Sequence, residues 1–303
     1  MDTVKVCVML SSYNGEKYIR EQIDSILAQE LPEQCDLSLI VRDDGSTDGT
    51  IDILAEYEGR GLLTLIQGEN LGVTGSFFAL LNHATGKYDY YSFSDQDDRW
   101  HEDKMFRALS VLSRKDKKSP HLYCSEYYYC DEHLGSPVPS SHNKIDPRVS
   151  LLLFENTISG NTIVFNDALA SCVIQAGCNG IYCHDWWVAL VASAVGDIEY
   201  DDQFYSLDYR RDGRNVSPTG SGQLRLLRYR IKHFIAGDEL SIISKQITKF
   251  ASAYRGKLSK HDVKILDVCT SNSRIKKAFL PVRLRQTIGG EFMLRTLFLT
   301  GKL

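Results

Sequence analysis

The stretch 88-YDYYSFSDQDDRW-100 decides how the chain is read. Its first half, 88-YDYYSF-93, is apolar and aromatic, the composition of a buried strand. Its second half places three carboxylates within four residues, Asp95, Asp97 and Asp98. Like charges this close repel one another and destabilise a fold unless a cation sits among them. Hard oxygen donors in a D-x-D array at a strand end suit Mg2+ or Mn2+, and the open coordination positions of such an ion can hold a diphosphate. A solvated acidic loop would carry the same letters, so the surrounding sequence has to decide.

Outward from this stretch the chain alternates. Strands are expected at Val4–Leu10, Leu37–Val41 and Leu62–Ile66, and helices at Glu16–Gln29, Gly72–Ala84 and His101–Arg114. In the first helix Tyr18, Ile19, Ile23, Ile26 and Leu27 recur at helical spacing. Within 43-DDGSTDGT-50, Ser46 or Thr47 is expected to cap a helix starting near Asp48. Strand–helix repeats of this kind build a mainly parallel α/β sheet covered on both faces. Ligands bind such sheets beyond the carboxyl ends of the strands. Three polar segments, 11-SSYNG-15, 43-DDGSTD-48 and 94-SDQDD-98, fall there and should converge. After residue 120 the pattern is mixed: Leu122–Tyr129, Ile158–Phe165 and Asp197–Asp208 read as strands, and Asp167–Ala176 and Trp186–Ala194 as helices.

The 303 residues are 43% apolar and 24% charged, ordinary for a globular protein. No run of about 18 apolar residues appears, so no membrane span is expected. The N-terminus reads directly into a strand, without the features of a signal peptide. Eight cysteines form no C-x-x-C pair and are expected to be reduced thiols, which points to the cytoplasm. The net charge of −4 conceals an asymmetry. Residues 221–303 carry 17 Lys and Arg against 5 Asp and Glu, so the C-terminal region is strongly basic. A linker signal, 217-SPTGSG-222, precedes it, and a division into a domain of residues 1–220 and a basic helical region of residues 221–303 is expected.

In order, a strand ending in SSYNG, a strand ending in 42-RDDGSTD-48, then 69-ENLGVTGSF-77 and SDQDD together resemble the inverting family-2 glycosyltransferases, whose fold is GT-A. The resemblance covers about residues 1–215. It implies a nucleotide-diphospho-sugar donor and a divalent cation. It also implies roles. Tyr13 packs on the base with Ser11 and Ser12 beside it, Asp43 or Asp44 accepts a hydrogen bond from base or ribose, and Gly45 leaves room for the nucleotide. Asn70 and Gly72 line the pocket, Asp95 lies near ribose and metal, Asp97 is the leading metal ligand and Asp98 assists. In 184-HDWW-187, Asp185 matches the position of the base that deprotonates the acceptor, and His184, Trp186 and Trp187 are acceptor-binding candidates. By residue type alone Asp185 reads first as a helix cap, a preference that the upstream motifs reverse, and the tryptophans are equally core. The segment 209-YRRDGRNVSPTG-220 is similar to YR-x-H-G-x-N-V-S-G of bacterial rhamnosyltransferase-like members, with Asp212 at the His position. Arg210 or Arg211 is then a candidate to neutralise diphosphate charge. These members imply dTDP-L-rhamnose as donor and a glycan or lipid-linked acceptor in surface polysaccharide synthesis.

The basic region contains 224-LRLLRYRIKHFI-235 and 274-RIKKAFLPVRLR-285, which suit an anionic membrane surface. No recognised nucleic-acid module accompanies that charge, so nucleic acid is not expected. No Walker A or G-x-G-x-x-G motif follows a strand, which argues against a P-loop NTPase or a Rossmann dehydrogenase. Two other readings share the nucleotide site: a sugar nucleotidyltransferase, which would need a glycine-rich basic loop where SSYNGEKYI stands, and a catalytically inactive nucleotide-sugar-binding module, which would not need Asp185.

Overall fold

A computed structural model describes residues 3–140, 146–211 and 238–303. The first half alternates as the sequence suggests: β1 (Val4–Ser12), α1 (Ile19–Leu27), β2 (Cys35–Asp43), α2 (Thr50–Gly59), β3 (Thr64–Gln67), α3 (Gly72–Ala84) and β4 (Tyr90–Ser94). There follow β5 (Arg99–Trp100), α4 (Lys104–Leu112), β6 (His121–Cys130), β7 (Val138–Pro139) and α5 (Val149–Leu152). The described chain continues with β8 (Val164–Asn166), α6 (Asp167–Gln175), α7 (His184–Val195) and β9 (Asp197–Arg210). It ends in four helices, α8 (Asp238–Tyr254), α9 (Lys260–Cys269), α10 (Arg274–Ala278) and α11 (Ile288–Thr300).

The described strands form one sheet in the order β3-β2-β1-β4-β8-β6-β9-β5, with β7 on β6. β3, β2, β1 and β4 are parallel. β8 runs antiparallel to both β4 and β6, so the sheet is parallel in its first half and mixed in its second. The parallel register pairs Ser12 with Asp43 and Leu10 with Ser94. The three polar segments therefore leave the sheet along one edge.

Alternation along β1 separates two cores, as a period of two requires. Val6, Val8 and Leu10 face α1, α2 and α4. Cys7 and Met9 face α3, α6 and α7, and the terminal helices contribute Ile243, Phe250, Leu266 and Phe298 to that same cluster. The eight cysteines are free thiols. No helix among the described residues is long and apolar enough to cross a membrane. Asp212, the 217–222 linker and the basic 224–235 segment lie outside the described residues.

Three local expectations are corrected. The strand read at 158–165 begins only at Val164, after a 3-10 turn at Gly160–Thr162. There Thr162 Oγ1 donates to Ser159 O (2.8 Å) and Ser159 Oγ to Asn161 Oδ1 (2.8 Å), local bonds that compete with a strand ladder. The helix after the DDGSTD turn is not capped by Ser46 or Thr47. It begins at Thr50, and Ser46 instead donates to Asp43. Finally, Trp186 and Trp187 are core rather than sugar platforms. Trp186 Nε1 donates to Leu152 O (2.5 Å), and fully buried Trp187 lies against the rings of Phe250 and Tyr254 of α8.

Trp187→Ala should therefore lower unfolding free energy by about 3–5 kcal/mol, the usual cost of emptying a large buried aromatic site. Denaturant unfolding checks this. A variant that unfolds like wild type would contradict the core assignment.

Candidate active site

The edge beyond β1, β2 and β4 is assembled by side chains reaching across to main chain. Asn14, at φ 50°, accepts from Thr47 N (2.8 Å) through Oδ1, and its own N–H donates to Ser46 Oγ (2.9 Å). Asn tolerates this left-handed conformation better than most residues. Gly15 N donates to Thr50 Oγ1 (2.8 Å). Gln96 makes a two-point bridge: Tyr13 N donates to its Oε1 (2.8 Å), and its Nε2 donates back to Tyr13 O (3.0 Å). The first loop is thus tied to the second through Asn14 and to the acidic loop through Gln96. Tyr13 itself is left about half exposed, 47%, with its ring available to a ligand. Ser11 is half-buried and donates to Ser76 Oγ, whereas Ser12 is buried and donates to Asp43.

Asp43 and Asp44 do not present their carboxylates to a ligand. Asp43 accepts from Gly45 N (3.1 Å), Ser46 N (2.8 Å), Ser46 Oγ (2.5 Å) and Ser12 Oγ (3.2 Å). Asp44 forms a buried ion pair with Arg42 and accepts from Leu71 N (2.9 Å). Arg42 also donates to Glu69 O (2.8 Å), so this pair fixes the 69–72 segment against the second loop. Gly45 turns the loop at φ +86°, a conformation that disfavours any side chain. Asn70 is exposed, and its Oδ1 accepts from Gly72 N (3.0 Å) at the start of α3.

The three acids of the opening stretch part ways. Asp98 is buried and faces inward, accepting from Asn161 Nδ2 (2.6 Å) and Arg210 N (3.3 Å). It is a structural acid rather than an open metal ligand. Lys104, also buried, lies over the Trp100 ring at 4.1 Å and donates to Asn161 O. Burial pushes its ammonium down to about 7, opposed by the nearby Asp98 charge. Burial, with Asp97 and Asp95 beside it, pushes the Asp98 carboxyl up.

Asp95 and Asp97 are half-buried at the rim. Burial, then the charges of Asp97 and Asp185, push the Asp95 carboxyl up to about 7. Asp185 comes from 90 residues away in sequence, at the first turn of α7, and its charge is felt at Asp95. It is not the helix cap, a position held by Cys183. Its Oδ1 accepts from Trp186 N (2.6 Å) and its Oδ2 from Gly160 N (3.2 Å). A side chain at residue 160 would bring its Cβ to 2.9 Å from Asp185 Cβ, so only glycine allows this approach. Asp95 and Asp97 offer oxygen donors at the rim, where burial and then the neighbouring acidic charges disfavour the ionised form of Asp95. Donors of this kind fit a hard divalent cation such as Mg2+ or Mn2+.

Two further expectations fail on burial. His184 is enclosed, its ring stacked on Phe77 (3.9 Å) and edge-on to Phe93 (4.9 Å). Burial pushes its imidazole down to about 4, so it is neutral core and not an acceptor contact. Arg210 is also buried. Its guanidinium donates to Asp97 O (2.9 Å), to Glu132 O and to Glu21, and lies 4.3 Å from the Tyr18 ring centroid. It holds the acidic turn by main chain rather than reaching for a diphosphate. Arg211 stacks over Tyr129 at 3.6 Å, and its Nε and Nη2 meet no hydrogen-bond acceptor among the described residues.

Sequence reading missed Gln96, Lys104, Gly160 and Asn161. Gln96 lies inside the acidic run, and its bridge to the Tyr13 main chain has no local signature. Gly160 and Asn161 fell in an expected strand and offered no local signal.

Comparison with known proteins bears on the family and the fold. The model of the family described as "Glycosyl transferase family 2" matches residues 7–171. The dTDP-rhamnosyl transferase RfbG of Shigella flexneri is 35% identical over 108 residues, 34% of this chain and 36% of that protein. The chain thus spans only about a third of that relative's length. Among solved structures, the mannosyltransferase PcManGT from Pyrobaculum calidifontis, in complex with GDP-Man and Mn2+, superposes with a TM-score of 0.57 at 17% identity, covering 99% of this chain and 75% of that one. TarS 1-349 of S. aureus in complex with UDP-GlcNAc gives 0.54 at 15% identity, covering 98% and 92%. These two likenesses concern the fold, which is GT-A.

Cation affinity should follow the ionisation of Asp95. A carboxyl held near 7 must lose its proton before it can ligate, so affinity rises with pH across that value. Apparent Mn2+ affinity should be about tenfold weaker at pH 6 than at pH 8. Calorimetric titration at both values checks this, and a flat affinity would remove Asp95 from the ligand set.

Proposed function

The chain belongs to glycosyl transferase family 2, and from that premise we propose that it transfers a sugar from a nucleotide-diphospho-sugar to a hydroxyl of a glycan or lipid-linked acceptor, with inversion at the anomeric carbon. The observation that supports this reading is the Gly160–Asn161 turn, which bonds Asp185 through Gly160 N and the acidic run through Asn161 and Asp98, and so joins a candidate base to the loop where a donor diphosphate would be held. A nucleotidyltransferase or a purely binding module has no need of a third acid there.

In this reading Tyr13 packs on the base, Gly45 and the Asn70–Gly72 segment border the nucleotide, and Asp95 and Asp97 would hold Mn2+ or Mg2+. A bound cation would supply Lewis-acid stabilisation of the departing nucleotide diphosphate. Arg211, whose buried Nε and Nη2 lack a hydrogen-bond acceptor among the described residues, is the arginine assigned to the diphosphate charge. The acceptor oxygen attacks the anomeric carbon as the bond from that carbon to the diphosphate oxygen breaks. Asp185 takes the acceptor proton. Its two backbone donors orient the carboxylate, and each oxygen keeps a lone pair for the acceptor hydroxyl. The likeness to a dTDP-rhamnosyl transferase favours dTDP-L-rhamnose as the donor. The product would be a cell-surface polysaccharide built at the cytoplasmic face of the membrane.

Asp185→Asn separates base from scaffold. Asn keeps one acceptor oxygen, so it can serve Gly160 N or Trp186 N but not both, and a stability loss of about 1–3 kcal/mol is expected. Metal-dependent donor binding should persist, while transfer falls about 10²–10⁴-fold. Near-full activity in this variant would return Asp185 to a structural role. Asp97→Asn should instead weaken donor binding and cation binding together, because it removes a ligand charge at the rim. Unchanged turnover at limiting Mn2+ would count against Asp97 as a ligand.

A further inference from the structure

The described residues with the most exposed large apolar side chains gather in the last two helices. Ile288 (83%), Phe292 (75%), Phe279 (74%) and Ile275 (69%) exceed every other such side chain among the described residues, and Leu299 is about half exposed. Ile275 and Phe279 are four residues apart at α10, and Ile288, Phe292 and Leu299 line one stripe of α11. On α11 the opposite stripe is the buried one, Leu294, Leu297 and Phe298; on α10 Ala278 is buried beside the exposed pair. The two helices are antiparallel. Arg274 lies against Gly301, while Arg295 donates to Lys277 O (2.8 Å) and to Val282 O. Ala278, Leu294 and Phe298 enter one core cluster, and Ile275, Phe279, Ile288 and Phe292 are left outside it. A helix apolar on both faces needs a second apolar environment.

The charge around these stripes is of one sign. Residues 274–303 hold seven Lys and Arg and one acid, Glu291. Glu291 is turned inward, accepting from Leu284 N (2.9 Å), Arg285 N (2.8 Å) and Arg295. Arg274, Lys276, Arg283 and Lys302 are exposed. A second copy docked by two-fold symmetry would set this basic border against itself, and like charges there oppose association.

We propose that the α10–α11 hairpin is the surface by which the protein docks on an anionic lipid bilayer, its apolar stripes entering the headgroup boundary and its basic border meeting lipid charge. This deepens, and rests on, the reading that the acceptor is carried at a membrane. The hairpin is fixed to the segment that follows α5. Arg285 donates to Phe154 O (3.0 Å) and pairs with Glu155, and Phe298 packs edge-on to Phe154 at 5.4 Å. That segment leads directly to Gly160, the residue against Asp185. Docking through the hairpin would therefore hold the candidate base at a set distance from the bilayer.

Co-sedimentation of the full chain with vesicles tests this without donor or acceptor. Vesicles of phosphatidylglycerol and phosphatidylcholine should bind at least about tenfold better than phosphatidylcholine alone, and the difference should shrink with salt. Phe279→Ser with Phe292→Ser should reduce binding about tenfold, and Lys276→Gln with Lys302→Gln should reduce it in the same direction. All four positions are exposed, and melting curves verify that the variants fold. Equal binding to both vesicle types, no binding, or variants that bind like wild type would overturn the proposal. So would a concentration-dependent dimer that Phe292→Ser dissolves, since the face would then serve self-association. Metal-dependent donor hydrolysis in vesicle-free solution reports on sugar transfer separately. Its absence in wild type would sink the transfer reading and leave the vesicle result standing.

Discussion

Everything around the sheet edge answers to one constraint: in a partly desolvated place the charges of Asp97 and Asp185 bear on Asp95, and those of Asp97 and Asp95 on Asp98. Unpaired charges there are costly, and the fold treats the inner and outer members differently. Asp98 is taken inside and met by Asn161, the Arg210 main chain and the nearby Lys104. At the rim, burial and then the charges of Asp97 and Asp185 push the Asp95 carboxyl up to about 7. A cation beside Asp95 would favour its ionised form again. The inner acid anchors the turn, and the outer acids keep their chemistry.

The remaining loops are positioned mainly by side chains bonding to main chain. Gln96, Asn14, Asp43 and Asp44 each satisfy backbone groups that belong to a different loop or to the turn they begin. Buried polar networks of this kind stiffen a site only when their members are satisfied together. The consequence is a division of labour among residues of the same type. Asp43 and Asp44 shape the edge, whereas Asp95 and Asp97 line it. Arg42 and Arg210 are fasteners, whereas Arg211 retains donors.

The terminal helices complete the second core and also carry an outward apolar stripe. Phe250 and Tyr254 of α8 cover Trp187, and Trp187 belongs to the helix whose first turn holds Asp185. The C-terminal region thus supports the helix of the candidate base through apolar packing. Its outer face has a separate character, basic and apolar at once, that the core does not require.

The sequence by itself determined the alternation of strands and helices through β4, the placing of three polar segments at one sheet edge, and the family resemblance that named Tyr13, Asp97 and Asp185. Those features are local: hydrophobic period, turn residues and motif order can be read within short windows. Only the tertiary structure decided which members of each motif face a ligand. Asp98, Asp43, Asp44, His184, Trp186, Trp187 and Arg210 all matched plausible roles by residue type, and burial turned each of them inward. It also decided that Gly160 and Asn161, which lack any local signature, stand against Asp185 and Asp98. Burial and long-range contact are properties of the packed chain, set by which faces meet across the sheet, and no window of sequence contains them.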